Sequence, residues 1–315
     1  MKGWIKIACI VGGLGIAQFF LIPLTNSYLL QIINLVGINA IMAVSLNLVM
    51  GHTGQFSLGH AGFMALGAYS SAAFTFYLHA SFLKISIFLP SIVGEPLFFL
   101  AALLFGGLFA GLAGLLVGVP TLRLRGDYLA IATLGLGEII RVIVLNLDFV
   151  GGARGFTDIP EYSSFFWIYL ILILAVVSMT NLVLSIKGKA LLAIREDEIA
   201  AQSVGIHTTQ YKIIAFVIGA FWAGIGGGLF AHLNTYLHTN TFGFLKSIEF
   251  VVMVVLGGMG SMVGSLTAAA LLTLLPEALR VVSEWRMIIY ALLLIIMMIL
   301  RPGGIFGKSK WLSYR

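Results

Sequence analysis

The chain is built from long apolar runs separated by short breaks that are polar or rich in glycine and proline. A helix that crosses a bilayer needs about 20 mostly apolar residues, and the runs predict eight such spans. The spans are expected at Trp4–Leu24, Tyr28–Met50, Leu58–Leu78, Leu97–Val117, Tyr128–Leu147, Phe165–Ile186, Ile213–Leu233 and Met287–Leu300. The runs are continuous and do not alternate with polar residues, which excludes a transmembrane β-barrel.

Two shorter apolar runs, Ile248–Leu256 and Val263–Leu275, precede the last span. Each is short for a full crossing, and either a tight two-helix hairpin or a re-entrant loop would preserve the topology. The prediction is therefore an all-α, polytopic membrane helical bundle with eight full spans plus a short helix pair, about ten helices if both members cross. No stretch outside the spans is long enough for a soluble domain, so residues 1–315 are interpreted as one transmembrane domain.

Composition supports lipid as the solvent. Hydrophobic residues make up 60% of the chain and charged residues 10%, against about 25% charged residues in soluble domains. The net charge of +6 could indicate nucleic-acid binding. Since the basic residues cluster beside the apolar spans, we attribute the charge to topology and anionic lipid instead, with no nucleic-acid partner.

The distribution of basic residues predicts the orientation. Twelve lie on one side of the predicted bundle: Lys2, Lys6, Arg123, Arg125, Lys187, Lys189, Arg195, Lys212, Arg301, Lys308, Lys310 and Arg315. Five lie on the other: Lys84, Arg154, Lys246, Arg280 and Arg286. Because cytoplasmic loops carry the excess of Lys and Arg, both termini are expected in the cytoplasm.

The N-terminal run could be either a signal peptide or the first span, because Lys2 and Lys6 precede an apolar stretch from Ile7 to Leu24. No clear small-x-small cleavage site precedes Thr25, which favours an uncleaved span. Cys9 is the only cysteine, so an internal disulfide and a four-thiolate metal site are excluded.

Two glycine-rich breaks interrupt the apolar pattern, at Gly51–Gly62 and at Leu256–Ser265. Glycine disfavours regular helix, and irregular backbone at membrane depth is tolerated where it lines a cavity. The candidate substrate-path residues are Gly54, Gln55, Ser57, Gly59, His60, Gly257, Gly258, Gly260 and Ser261. The alternative is a cytoplasmic turn whose small residues allow close helix packing.

Glu138 and Arg141 are ionisable residues within a predicted span, and their spacing of three places them on one helix face. Such residues are functional candidates. A neutralising intramembrane ion pair that locks helix packing is the interpretation the residues favour. Glu249, just before the second break, is expected to be an ordinary solvated residue at the outer interface.

Residues 187–211 form the longest charged segment. The pattern predicts a short helix that opens at Arg195–Glu198 and ends at Gly205. The segment could transmit force from a partner or be a solvated connector, and the residues alone favour the connector. The residues of interest are Arg195, Glu196, Asp197, Glu198, Ala200, Ala201 and Gly205.

Taken together, these segments resemble the LivM-type permease subunits of branched-chain amino acid ABC importers. The matching pieces, in chain order, are GHTGQFSLGHAGFMALGAY (51–69), LRLRGDYLAIATLGLGEIIR (122–141), GGARGFTDIP (151–160), the loop 188–206, LGGMGSMVGS (256–265) and RPGGIFG (301–307). They cover nearly the whole chain.

The resemblance implies a transport subunit of the inner membrane, with no cofactor or metal of its own. It implies three kinds of partner: a second, LivH-type permease, cytoplasmic ATPase subunits and an extracytoplasmic binding protein that delivers a branched-chain or other small apolar amino acid. Ala200, Ala201 and Gly205 match the small-residue core of an importer coupling loop, with Ile199 where the pattern carries alanine. The resemblance therefore favours a coupling role for residues 187–211.

Other classes of function lack their motifs. The nearest approach to a phosphate-binding loop is Gly307-Lys308-Ser309, where Pro302 occupies the position of the first glycine. A secondary transporter or channel would need an unpaired acid within a span, and only Glu138 qualifies, with Arg141 nearby. The six histidines have no metal-ligand spacing, and no nucleophile and base stand together as an enzyme requires. A permease for urea or another small solute stays open.

Overall fold

The computed structural model describes residues 15, 18, 26–85, 91–122, 126–282, 286–300 and 303–306. Apart from Gly15 and Gln18, the predicted first span, Trp4–Leu24, lies outside these residues, as does Cys9. From residue 26 onward the described residues form eleven α-helices. They are α1 Ser27–Asn47, α2 His60–Ile85, α3 Ser91–Thr121, α4 Asp127–Leu145, α5 Phe165–Leu184, α6 Ile186–Glu196, α7 Glu198–Ser203, α8 Thr208–Asn234, α9 Phe244–Gly257, α10 Met262–Ala278 and α11 Arg286–Leu300.

The predicted all-helical membrane architecture is confirmed. Six segments among the described residues are long and apolar enough to cross a bilayer: Ser27–His52, Gly94–Thr121, Tyr128–Leu145, Phe165–Leu184, Thr208–Asn234 and Thr239–Gly257. Helix α2 adds 26 residues. Each corresponds to one of the predicted apolar runs, because in lipid a helix is the local structure that satisfies its own backbone groups.

The short pair forms a helical hairpin. Helices α9 and α10 contain 14 and 17 residues, which corresponds to about 21 and 26 Å of helix. Their crossing depends on glycine, since a Cβ at Gly257 or at Gly264 would overlap the other residue's backbone. Both helices pack against α1, so the hairpin is part of the bundle.

The centre of the bundle consists of α2, α3 and α8, which pack together most extensively. Their backbones touch at glycines: a Cβ at Gly67 would overlap the backbone of Gly224, and a Cβ at Gly227 would overlap the carbonyl of Met64. Small residues stabilise helix pairs in membranes in this way, because close approach increases van der Waals contact.

The loops between the helices lie at two opposite ends of the bundle. The loop after α4 and the loop after α8 are joined by an antiparallel bridge, in which the amides of Phe156 and Leu237 each donate to the other's carbonyl, at 2.8 and 2.9 Å. The opposite end holds α6, α7 and the backbone breaks that follow α1 and α9. We call this opposite end the coupling-loop side.

We expect Gly227→Leu to destabilise the bundle, because overpacking a close contact costs about 1–3 kcal/mol. Thermal unfolding of the purified protein in detergent should show a lower midpoint. Gly135→Leu on α4 is the matched control, since nothing lies within 4 Å of a Cβ at that position. An unchanged midpoint for Gly227→Leu would contradict the packing described for α2 and α8.

Candidate functional site

The first break is a re-entrant segment. Helix α1 ends in a π-helical turn, Leu48–His52, and the chain reverses at Gly54, whose φ is +71°. His60 at the start of α2 then forms a 2.7 Å hydrogen bond with Ser45, well before the end of α1. Residues 54–59 therefore run back along α1 into the bundle, and α2 begins inside it.

Neighbouring helices satisfy the backbone of this segment. The amide of Leu58 donates to the Thr133 hydroxyl of α4 at 3.1 Å, and the amide of Ala61 donates to the Ser247 hydroxyl of α9 at 3.2 Å. Gly59 lies against the backbone of α4, where a Cβ would overlap the carbonyl of Thr133. The amides at the start of a helix have no partner within the helix. Inside the bundle water does not supply those partners, so side chains on α4 and α9 accept these hydrogen bonds.

Two side chains of the re-entrant segment are buried without partners. Gln55 is 4% exposed and Ser57 is 1% exposed. Neither the amide group of Gln55 nor the hydroxyl of Ser57 has a hydrogen-bonding partner among the described residues. Such a group costs about 1–3 kcal/mol, so these two residues are the substrate-path candidates whose chemistry the fold leaves unused.

The second break meets the first. The amide of Gly260 donates to the Asn47 side chain of α1 at 2.8 Å, and a Cβ at Gly51 would overlap the backbone of Gly260. Gly258 and Gly260 have φ values of +102° and +87°, a region that favours glycine. Ser261 then caps α10 by accepting from the amide of Gly264 at 3.1 Å. The structure thus brings the two groups of glycine candidates together.

Part of the C-terminal RPGGIFG motif completes this site. The amide of Ile305 donates to the carbonyl of Leu256 at 2.8 Å, and that of Phe306 donates to Gly257 at 3.2 Å. The last carbonyls of α9 would otherwise lack helical partners. Sequence reasoning matched the motif to a family but did not give this role, since the contact spans about fifty residues of chain.

The segment 187–211 contains two helices. The predicted short helix is α7, which begins at Glu198, within the predicted opening, and ends before Gly205; the preceding helix α6 was not predicted. Arg195 lies in the last turn of α6, which ends at Glu196. Asp197 then caps α7: its carboxylate accepts from the amides of Ile199 at 2.8 Å and Ala200 at 3.0 Å. Asp is a preferred N-cap residue, so its side chain determines where α7 starts. Gly205, with φ of +87°, follows α7.

Arg195 joins α6 to both breaks. Its Nη1 donates to the carbonyl of Gly51 at 2.9 Å, and its Nη2 pairs with Glu196 at 2.6 Å. A Cβ at Gly54 would lie 3.2 Å from the Arg195 Cγ, and one at Gly260 would lie 2.8 Å from Nη1. One side chain therefore fills the space between α6, the π-turn and the α9–α10 break.

Helix α7 is anchored on one side and open on the other. Glu198 and Lys212 form a 2.7 Å ion pair that ties it to α8, and Ala201 is buried. Ile199 and Val204, by contrast, are 69% and 76% exposed. Ala200 and Gly205 are also exposed, so the small and apolar residues present a surface that nothing in the described chain covers.

Glu138 and Arg141 form an ion pair on α4, directly after Gly137, which lies against Gly59 of the first break. Arg141 Nε donates to Glu138 at 2.6 Å, and its Nη1 reaches the Asn240 side chain at 3.4 Å. Glu249, expected to be an ordinary solvated residue, instead accepts from Lys246 at 2.9 Å. Among the described residues, no three His, Cys, Asp or Glu side chains come close enough to hold a metal ion.

Several long apolar helices, two of them joined through irregular breaks, define the class, a multi-pass helical membrane protein. Residues 28–299 match the family described as branched-chain amino acid transport system, permease component. The chain belongs to this family, which confirms the resemblance seen in the sequence.

The chain is similar to the high-affinity branched-chain amino acid transport system permease protein LivM of Salmonella typhimurium and that of Escherichia coli. Identity to each is 37% over 239 residues, which cover 65% of this chain and 56% of the relative. It is also 30% identical over 151 residues to the permease protein LivH of Escherichia coli, covering 45% of this chain and 47% of that protein. The chain thus spans about half the length of these relatives. No solved structure gave a significant match.

We expect Asp197→Ala to loosen α7, because loss of an N-cap costs about 0.5–2 kcal/mol. Hydrogen exchange of the α7 amides should accelerate while exchange in α8 stays unchanged. Asp197→Ser keeps a capping oxygen and serves as the control. Equal protection of α7 in the alanine and serine variants would show that the cap does not determine where α7 begins.

Proposed function

We propose that the chain is the membrane-spanning permease subunit of an ATP-binding-cassette importer that carries branched-chain or other small apolar amino acids into the cytoplasm. The observation that carries the proposal is the contact of Arg195, in the charged loop, with the Gly51 carbonyl where the two backbone breaks meet. Family membership supports the same function, and so does the similarity to the LivM and LivH permease proteins.

The partners follow from this function. Since LivH-type permeases are also similar to this chain, a second, related permease is proposed beside it. Cytoplasmic ATPase subunits would hydrolyse ATP, and an extracytoplasmic binding protein would deliver the amino acid. The chain itself is a transport subunit, not an enzyme, and needs no cofactor.

The proposed topology is a single permease domain over residues 1–315 in the inner membrane, with eight spans, the short pair and both termini in the cytoplasm. The positions of the loops support this number of crossings, because loops that should share a side of the membrane lie at the same end of the bundle. The α6–α7 segment and both breaks share one end, and the loops joined by Phe156 and Leu237 share the other. In the orientation predicted from basic residues, the coupling-loop side is cytoplasmic.

The proposed mechanism is mechanical. An ATPase docks on the exposed surface of α7, within the coupling loop 187–211, and its movement shifts α6 and Arg195. Because Arg195 holds the carbonyl of Gly51 and lies against Gly260, this shift moves both breaks together. The breaks carry the buried polar side chains of Gln55 and Ser57, so the same movement opens or closes the path of the substrate. No bond in the substrate is made or broken.

The direct test is purification of the tagged chain from its native membrane in mild detergent, followed by mass spectrometry of the proteins that accompany it. Recovery of an ATPase and a second permease, with ATP-dependent uptake of labelled leucine in proteoliposomes when the binding protein is added, is the expected result. Transport by the chain alone without ATP would replace the proposal with a secondary transporter. Uptake of urea in place of amino acids would change the proposed substrate.

We expect Arg195→Met to uncouple transport, because the hydrogen bond to Gly51 is lost while the apolar stem of the side chain is retained. Leucine uptake by the reconstituted complex should fall about tenfold or more, as expected for loss of a charge-assisted hydrogen bond, while basal ATPase activity persists. Lys189→Met removes an exposed cation from the same helix and should transport normally. Equal uptake by the two variants would contradict the proposed role of Arg195.

A further inference from the structure

A cavity of about 490 Å³, widely open to the protein surface, lies between α4 and the first turns of α9. Its volume falls in the range of small-molecule sites, about 300–1,000 Å³. The polar groups around it are Glu138 and Arg141 on α4, Lys246 and Glu249 on α9, and Asn240 on the preceding turn. Both helical segments are candidate membrane spans, Tyr128–Leu145 and Thr239–Gly257.

The charges around the cavity are balanced but do not hold the two helices together. Each ion pair is formed within one helix, Glu138 with Arg141 and Lys246 with Glu249, at a spacing of three residues. The one hydrogen bond between the two elements that involves these charges, among the described residues, is that from Arg141 to Asn240. An ion pair that fixes the packing of two helices would join a charge on one helix to a charge on the other. Here two cations and two anions line the same space instead.

The four paired charges lie beside apolar surface. The adjoining surface is apolar: Ile139 is 53% exposed and Leu245 is 79% exposed. Charged residues in membrane spans are expensive and face a protein interior or a watery cavity, not lipid. The cavity is therefore expected to face a polar pathway, which the second permease of the proposed assembly would enclose.

We propose that this cavity binds the zwitterionic head of the transported amino acid after its release from the binding protein. The inference rests on the function proposed above and deepens it. Arg141 and Lys246 would bind the carboxylate, and Glu138 and Glu249 would bind the ammonium group. Phe244 and Leu245 at the edge of the cavity would contact the apolar side chain. The four charges of the site sum to zero, which complements a zwitterion.

Neutral variants distinguish a binding site from a structural ion pair. In the reconstituted complex, Lys246→Gln leaves Glu249 unpaired, whereas the double variant Lys246→Gln/Glu249→Gln leaves no unpaired charge. If the pair were structural, the double variant would recover uptake. As a binding site, both variants should lose about tenfold or more in maximal leucine uptake, with basal ATPase activity and subunit assembly retained.

The pair at the end of α10, Glu277 and Arg280, provides the matched control. It has the same spacing, at 3.3 Å, and lies outside the cavity. Glu277 also accepts from the Tyr28 hydroxyl of α1, and a glutamine at 277 keeps an acceptor for that bond. Glu277→Gln/Arg280→Gln should transport like the unmodified complex. Uptake within about twofold of normal for the double variant Lys246→Gln/Glu249→Gln would overturn the proposed site.

A labelling experiment tests binding without transport. In the assembled complex with Cys9→Ser, the exposed position Asn240→Cys should react with a water-soluble thiol reagent, and leucine should slow that reaction severalfold. Leucinol and 4-methylpentanoate, which lack the carboxylate and the ammonium group respectively, should not. Absence of protection by leucine would overturn the site whatever the uptake results. If ATP-dependent uptake failed but protection by leucine persisted, the proposed function would fall and the site would stand.

Discussion

The structure depends on one constraint: a backbone group at membrane depth must find its hydrogen-bonding partner within the protein. The chain interrupts its helices at two breaks on the coupling-loop side, and each break exposes amides or carbonyls. Thr133 and Ser247 accept from the amides of the first break, and Asn47 accepts from the second. Distant residues therefore have to meet, so the packing of α1, α4, α9 and α10 follows from where the helices are interrupted.

The same constraint links the loop to the membrane domain. A π-turn leaves the carbonyl of Gly51 available, and Arg195 reaches it from α6. Guanidinium groups suit this position because they present several donors in a fixed geometry. The positive charge of Arg195 is balanced locally by Glu196. The hydrogen bond from Arg195 to the Gly51 carbonyl is thus specific, and its counter-charge, Glu196, moves together with the loop.

Much of the fold could be predicted from the sequence, because helix formation in lipid is decided locally by apolar length. The glycine-rich breaks were also readable, since glycine both weakens helix and permits positive φ. What could not be predicted was which distant groups meet. Nothing in the sequence around Gly51 indicates Gly260 or Arg195, and nothing around Leu256 indicates Ile305. The start of α7 near Asp197 was predicted, whereas α6 before it was missed, because its charged residues and Gly188 also fit a solvated connector.

In the candidate site, too, local features could be predicted from the sequence and tertiary contacts could not. The spacing of Glu138 and Arg141 predicted a shared helix face, whereas Glu249 was expected to be an ordinary solvated residue and its pairing with Lys246 beside the same cavity was not predicted. Two i, i+3 pairs on separate helices look alike in sequence whether they are structural or functional. Their common orientation is a tertiary property.

The glycine contacts among α2, α3 and α8 have a consequence for motion. Helices whose backbones touch at Gly67, Gly224 and Gly227 cannot slide past each other without losing that contact, so this trio should behave as a rigid body. Conformational change would then take place elsewhere, in α1 and the α9–α10 hairpin. The glycines at the centre would keep α2, α3 and α8 rigid, and the glycines at the breaks would form the hinge.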